Sequence, residues 1–229
     1  MERDAALEWI ESMLDVLDDE VMPVPVREVW VYGDVAIGLD PIDRLDVYLT
    51  KDILMRGDDE AAAEFEESHG VKGVGRTVRA EWAHEHPGYV ATNDNGYVAP
   101  ERCLATHLLD ATVRTTLQST DEQTTGRPPV HFEVCNASFD ANVTQRLKGA
   151  LPREAYDELL DPRGVCLWVD GHRDEDALER LREGSFVMPT LSDALEMIGA
   201  DGERADVAAR TIRERRREQS GSSVRGDVV

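Results

Sequence analysis

Apolar residues at Leu7, Ile10, Met13, Leu14 and Leu17 recur at three- and four-residue spacing, which predicts an amphipathic helix over residues 1–18. Pro23 and Pro25 end that run. Over 26–32 the β-branched and aromatic residues of a strand follow. Over 45–50 the pattern then alternates strictly, with Leu45, Val47 and Leu49 on one face and Asp46, Tyr48 and Thr50 on the other. Residues 58–68, DDEAAAEFEES, carry acids at the start and strong helix formers after them, which predicts a second helix ending near Gly70.

The stretch 73–100 mixes a strand pattern with turn chemistry, and the two YVA segments around TNDNG predict a hairpin. Pro100 sits where a helix can start, and Leu104, Leu108, Ala111 and Leu117 carry an apolar face to about Gln118. The polar run 119–129 reads as a loop. VHFEVC over 130–135 alternates again, with Val130, Phe132 and Val134 inward and His131, Glu133 and Cys135 opposite. Helices at 141–150, 153–160, 174–182 and 190–198 enclose a further strand at 165–169, and Thr190 after Pro189 is placed as a helix cap. Strands separated by helices predict an α/β (α+β) fold, a mixed sheet with flanking helices, as a single domain over 1–199. Residues 200–229 read as an Arg-rich helix followed by a disordered tail.

Charge narrows the class. Among 229 residues, 47 acids face 25 bases, for a formal charge of −22, and only Lys51, Lys72 and Lys148 are lysines. Such a surface suits molar salt, which screens charge within a few Å, and it opposes generic binding of nucleic-acid backbones. No window is long and apolar enough for a membrane span, and the acidic amphipathic start is unlike a signal peptide, so a cytoplasmic protein is expected. Cys103, Cys135 and Cys166 are odd in number and widely spaced, which fits buried reduced thiols.

Candidate chemistry concentrates in VWVYGDVAIGLDPIDRLDVYLTKD, residues 29–52. With the opening helix, this strand, glycine turn and second strand resemble the front of a minimal nucleotidyltransferase of the polymerase-beta-like superfamily, over about residues 1–52. The wider MPVPVREVWVYGDVAIGLDPIDRLDVYLTKD is similar to a haloarchaeal domain family of unknown function. The nucleotidyltransferase resemblance implies that Gly33, Ala36 and Gly38 form a phosphate-handling turn and that Asp46 is a magnesium-holding carboxylate. Two departures stand beside it. Asp34 replaces the phosphate-binding serine, and Arg44 takes the place of the first carboxylate on the same strand face as Asp46.

Three readings follow. In the first, the chain is a non-catalytic nucleotidyltransferase-like domain that binds a small ligand or protein partner, with Gly33, Asp34, Arg44 and Lys51 as the ligand or phosphate site. The second is an active metal-dependent nucleotidyltransferase with an atypical set, Asp43, Asp46 and Glu133, and magnesium as cofactor only in that case. The third is a scaffold acting through Arg213, Arg215, Arg216 and Arg217, although Glu214 and Glu218 beside them suggest a solvated helix face. His84, His86, Cys103 and His107 form a weaker, zinc-type candidate.

Overall fold

The computed structural model describes residues 1–52, 59–119, 129–218, 221–224 and 227–228. Its elements run α1 (Arg3–Asp19), β1 (Val26–Tyr32), β2 (Leu45–Lys51), α2 (Asp59–His69), α3 (Val74–Thr77), α4 (Ala80–Glu85), α5 (Pro100–Ser119) and β3 (Val130–Cys135). Then come α6 (Phe139–Ala150), β4 (Gly164–Val169), β5 (His172–Arg173), α7 (Glu175–Glu183), α8 (Leu191–Met197), α9 (Gly202–Glu218), β6 (Ser223–Val224) and β7 (Asp227–Val228). The expected mixed α+β architecture is what the chain adopts. Among the described residues the strands form one sheet in the order β5-β4-β1-β2-β3-β6-β7. β2 is antiparallel to β1 and parallel to β3, so it is hydrogen-bonded along both edges at the centre.

The alternation along β2 sets the layers, because successive side chains leave opposite faces of a strand. Leu45, Val47 and Leu49 join Val29 and Val31 of β1, Val130, Phe132 and Val134 of β3, and Leu167 of β4 in the largest apolar cluster. The apolar stripes of α1, α5 and α7 cover that face, through residues such as Ile10, Leu14, Leu108 and Leu181. On the opposite face, Phe139 of α6 packs among the rings of Trp30, Tyr32 and Tyr48, with centroids 4.9, 5.6 and 5.3 Å away. Gly164 makes that approach possible: a β-carbon there would lie 2.8 Å from the Phe139 ring. Leu147 of α6, Leu191 and Leu195 of α8, and Ala205, Ala208, Ala209 and Ile212 of α9 form a second cluster on this side.

A satellite core sits within the crossover between β2 and β3, built on Phe65, Val74, Val78, Trp82, Val98 and Cys103. Here the hairpin expectation holds only in reduced form. Residues 74–77 and 80–85 are short helices, and the TNDNG turn is closed by one bridge, Thr92 to Val98, rather than by paired strands. Backbone hydrogen bonds from Asn93 N–H to the Tyr97 carbonyl at 2.8 Å and from Ala99 N–H to the Ala91 carbonyl at 2.9 Å flank the bridge, and the Asn93 carboxamide oxygen, accepting from the Asn95 and Tyr97 N–H groups at 3.0 Å, closes the turn. The expected helix at 153–160 reduces to two 3-10 turns, Leu151–Arg153 and Tyr156–Glu158. Most of the loop expected at 119–129 lies outside the described residues.

The C-terminal expectation changes most. Instead of a disordered tail, Ser223 and Val224 pair in parallel with His131 and Phe132 of β3, and Val224 joins the main core. The ladder to β3, the Ser223–His131 contact and the burial of Val224 seat the segment together, and its shortness hides it from periodicity. Among the described residues no helix is long and apolar enough to cross a membrane.

Candidate functional site

The site forms where the turn after β1, the start of β2 and the last turn of α9 meet. Gly33 takes φ +70°, a left-handed conformation that glycine adopts without steric penalty. Its missing side chain matters as much as its backbone: a β-carbon on Gly33 would fall 2.3 Å from the Arg216 guanidinium. Arg216 therefore lies flat against the glycine turn, buried to 7% exposure. Its Nη2 meets Asp46 Oδ2 at 2.7 Å, and its Nη1 meets Asp34 Oδ1 at 3.0 Å and Asp161 Oδ2 at 3.5 Å. Arg44 closes the other side, with Nε donating to Asp46 Oδ1 at 2.7 Å and Nη2 on the same oxygen. Asp46 is fully buried and clasped between two guanidinium groups.

The remaining charges are paired as tightly. Asp161 accepts from Arg163 at 2.9 Å through Nε and 2.7 Å through Nη2, in a bidentate fork. Glu133, two residues along β3 from His131, is paired with Arg146 of α6 and receives the Cys135 thiol at 3.3 Å. His131 Nδ1 lies 2.9 Å from Ser223 Oγ, so the C-terminal strand fixes the imidazole while Nε2 faces Glu133 at 3.7 Å.

Ionisation follows from these partners. Burial pulls the Arg216 pKa down, but Asp46, Asp34 and Asp161 together outweigh it and hold the guanidinium firmly charged. Burial raises the Asp34 pKa above its ordinary value; Arg216 opposes this, and so does the Asp43 N–H, which donates to Asp34 at 3.3 Å. The pair is lopsided because one guanidinium is shared by three carboxylates, so Asp34 does not recover the hydration it loses. Burial also pushes Glu133 up, yet the His131 imidazole beside it and the charge of Arg146 prevail, and its pKa is lowered. Tyr32 is held well above the ordinary phenol range by burial and by Asp46, and it stays a neutral donor.

Above this network lies a cavity of about 480 Å³, whose lining includes Tyr32, Arg44, His131, Glu133, Arg215 and Arg216. The Tyr32 hydroxyl, the Arg216 Nε–H and the Asn142 carboxamide oxygen, all on lining residues, are buried with no hydrogen-bond partner among the described residues. Arg215 is exposed and has no ion-pair partner among the described residues. Arg216 also lines a second cavity of about 260 Å³, together with Asp34, Asp43, Arg163, Arg213 and Arg217.

Several site residues named from sequence are thereby separated. Asp43 is exposed, 3.7 Å from Arg217, and lines the second cavity rather than the one that holds Glu133. Asp46 and Glu133 each have their own arginine partners, so Asp43, Asp46 and Glu133 are not gathered at one open point. Lys51 does not join Arg44: it leaves the apolar face of β2 and meets Glu101 of α5 at 2.9 Å. Residue parity already separates 44 from 51 along a strand. Gly33, Asp34 and Arg44 do come together, around Arg216.

Arg216 corrects the reading of the C-terminal arginines as a uniformly solvated face. Ala205, Ala208, Ala209, Ile212 and Arg216 fall on one stripe at three- and four-residue spacing, while Arg213, Arg215 and Arg217 lie off it. That stripe was the available signal. Asp161 carries none.

The zinc-type set divides as well. His84 packs edge-on against Phe65, with centroids 4.1 Å apart. Cys103 receives the Ala91 N–H at 3.2 Å, and burial pushes its thiol up to about 11. His86 and His107 do approach each other, but with Glu20 as the third member.

No curated protein and no solved structure matches the chain at a significant level, so the nucleotidyltransferase resemblance has no counterpart there. The chain belongs to a family of unknown function, DUF7095, whose model matches residues 2–229.

Proposed function

We propose that this chain is a non-catalytic binding domain for a small polar solute bearing an anionic group, held in the cavity over the polar sheet face. The observation that carries the reading is a pair of buried donors without hydrogen-bond partners among the described residues, the Tyr32 hydroxyl and the Arg216 Nε–H, on residues that line one cavity. Buried donors left unmatched are costly, and an anionic oxygen satisfies them most strongly. Arg215, exposed at the same cavity, adds a positive charge with no ion-pair partner among the described residues, and the Asn142 oxygen offers an acceptor to a donor group on the solute.

Nucleotidyl transfer through two metal ions is disfavoured by the same arrangement. Magnesium requires open carboxylate oxygens, and both oxygens of Asp46 already face guanidinium groups. The scaffold reading loses ground because Arg216 is committed inside the protein and the apolar stripe of α9 is covered by α8. The acidic, lysine-poor surface suits the cytoplasm of a salt-rich cell.

Calorimetric titration with inorganic phosphate, AMP and adenosine, with and without magnesium, tests the proposal. The two phosphate-bearing probes are expected to bind without magnesium, and uncharged adenosine is not. Arg215→Ala, a change at an exposed position, is expected to weaken binding by about tenfold. Absence of binding by either phosphate probe would overturn the reading, as would magnesium-dependent nucleotidyl transfer that disappears in Asp46→Asn.

A further inference from the structure

We infer that Glu20, His86 and His107 form a binding site for a divalent transition metal of the zinc class, which clasps the satellite core to the main domain. One ligand atom from each of the three lies within 4.8 Å of the other two. The residues come from separate segments: Glu20 is the C-cap of α1, His86 the C-cap of α4, and His107 lies in α5. Glu20 Oε2 and His107 Nε2 are 3.0 Å apart. Tetrahedral coordination at zinc distances puts neighbouring ligand atoms about 3.3 Å apart, so this pair already has the required spacing. His86 needs to close by about 1.5 Å, within reach of a side-chain torsion.

Two imidazole nitrogens and one carboxylate oxygen make a donor set suited to zinc, cobalt or nickel, and less suited to magnesium or calcium, which prefer oxygen throughout. The backbone that carries His86 is fixed in place. The His86 N–H donates to the Trp82 carbonyl at 2.8 Å, and its own carbonyl accepts from the Tyr89 N–H at 3.0 Å. Its ring stacks on Tyr89 at 8° between planes. The His107 ring, fully buried, meets Trp82 edge-on with centroids 5.5 Å apart.

Exposure leaves the fourth position to water: the Glu20 side chain is 37% exposed and His86 is half-buried. Val21, next to Glu20, packs against the satellite core that also holds Trp82. A metal here ties the crossover helices to α1 and α5.

Adding Co²⁺ to the metal-free full-length chain gives a direct readout, because four- and five-coordinate cobalt absorbs far more strongly in the visible range than the six-coordinate ion on surface carboxylates. One such cobalt per chain is expected, displaced by Zn²⁺, with Zn²⁺ raising the unfolding temperature. His86→Ala and Glu20→Gln alter half-buried or exposed positions, so they are expected to fold, and each is expected to weaken Zn²⁺ binding by about 100-fold. A six-coordinate spectrum alone, no binding, or a strong spectrum that survives both substitutions would overturn the site. Because this set lies apart from the Arg216 cavity, loss of the metal leaves phosphate binding there as a separate question.

Discussion

The two faces of β2 are built from neighbouring residues and held by different physics. Leu45, Val47 and Leu49 enter a continuous apolar core under α1, α5 and α7, where stability is roughly the sum of buried surface. Asp46, one residue away from two of them, is fully buried on the other face and depends on guanidinium groups from Arg44 and Arg216. The first face tolerates piecemeal loss. The second is all-or-none, because removing one partner leaves another charge buried without compensation, whereas removing all of them does not.

Arg216→Ala probes that difference most strongly. It is expected to cost about 4 kcal/mol in chemical denaturation, since Asp46, Asp34 and Asp161 all lose a partner. Removing the clasp around Asp46 as a unit, in the triple variant Arg44→Met, Asp46→Leu and Arg216→Met, is expected to recover the share of that loss that falls on Asp46. Leu49→Ala, on the apolar face, is expected to cost about 3 kcal/mol with no comparable rescue. A triple variant as unstable as Arg216→Ala would erase the distinction.

Gly33→Ala sharpens the same comparison at smaller amplitude. The left-handed backbone alone makes alanine unfavourable by about 1–2 kcal/mol, and the new methyl group collides with the guanidinium. In a double-mutant cycle with Arg216→Ala, the two effects are expected to be less than additive, because the collision vanishes with the arginine. Strict additivity would mean that glycine serves the backbone only.

The smallest effects are those of pH, and they carry opposite signs. Glu133 has a lowered folded-state pKa, so it contributes stability above its ordinary value of 4.5 that is lost as pH falls through the lowered one. Asp34 is raised above its ordinary 3.8, so its ionised form subtracts from stability at neutral pH, and that penalty is relieved as pH falls through the raised value. Urea unfolding followed from neutral to acid pH is expected to show less acid-side loss in Glu133→Gln and less relief in Asp34→Asn.

Those same faces explain what the sequence could and could not disclose. Alternation over 45–50 and 130–135 placed β2 and β3 and assigned the residues of the main apolar core correctly, because one face meets apolar helices and the other a polar network, which writes a period of two into the chain although both faces are buried. The helices α1, α5, α7 and α8 were legible from apolar spacing and from the Thr190 cap, whose side chain accepts from the Asp193 N–H at 3.2 Å. The charged face was only half legible. Gly33, Asp34, Arg44 and Asp46 marked the place, but their partner Arg216 comes from a helix about 170 residues later, and its role depends on where the stripe of α9 meets the sheet. Glu20 was invisible for the same reason: nothing in its local sequence signals two histidines from other helices. Local pattern encodes layers, and long-range ion pairs must await the fold.

The most direct measurement is an NMR spectrum of the arginine Nε–H groups, taken on wild-type protein and on Arg216→Ala, with inorganic phosphate added stepwise. A protected resonance absent from the variant, and shifted as phosphate saturates, is expected if Arg216 both seals Asp46 and faces the ligand. A rapidly exchanging Arg216 signal, or one indifferent to bound phosphate, would contradict the proposed site.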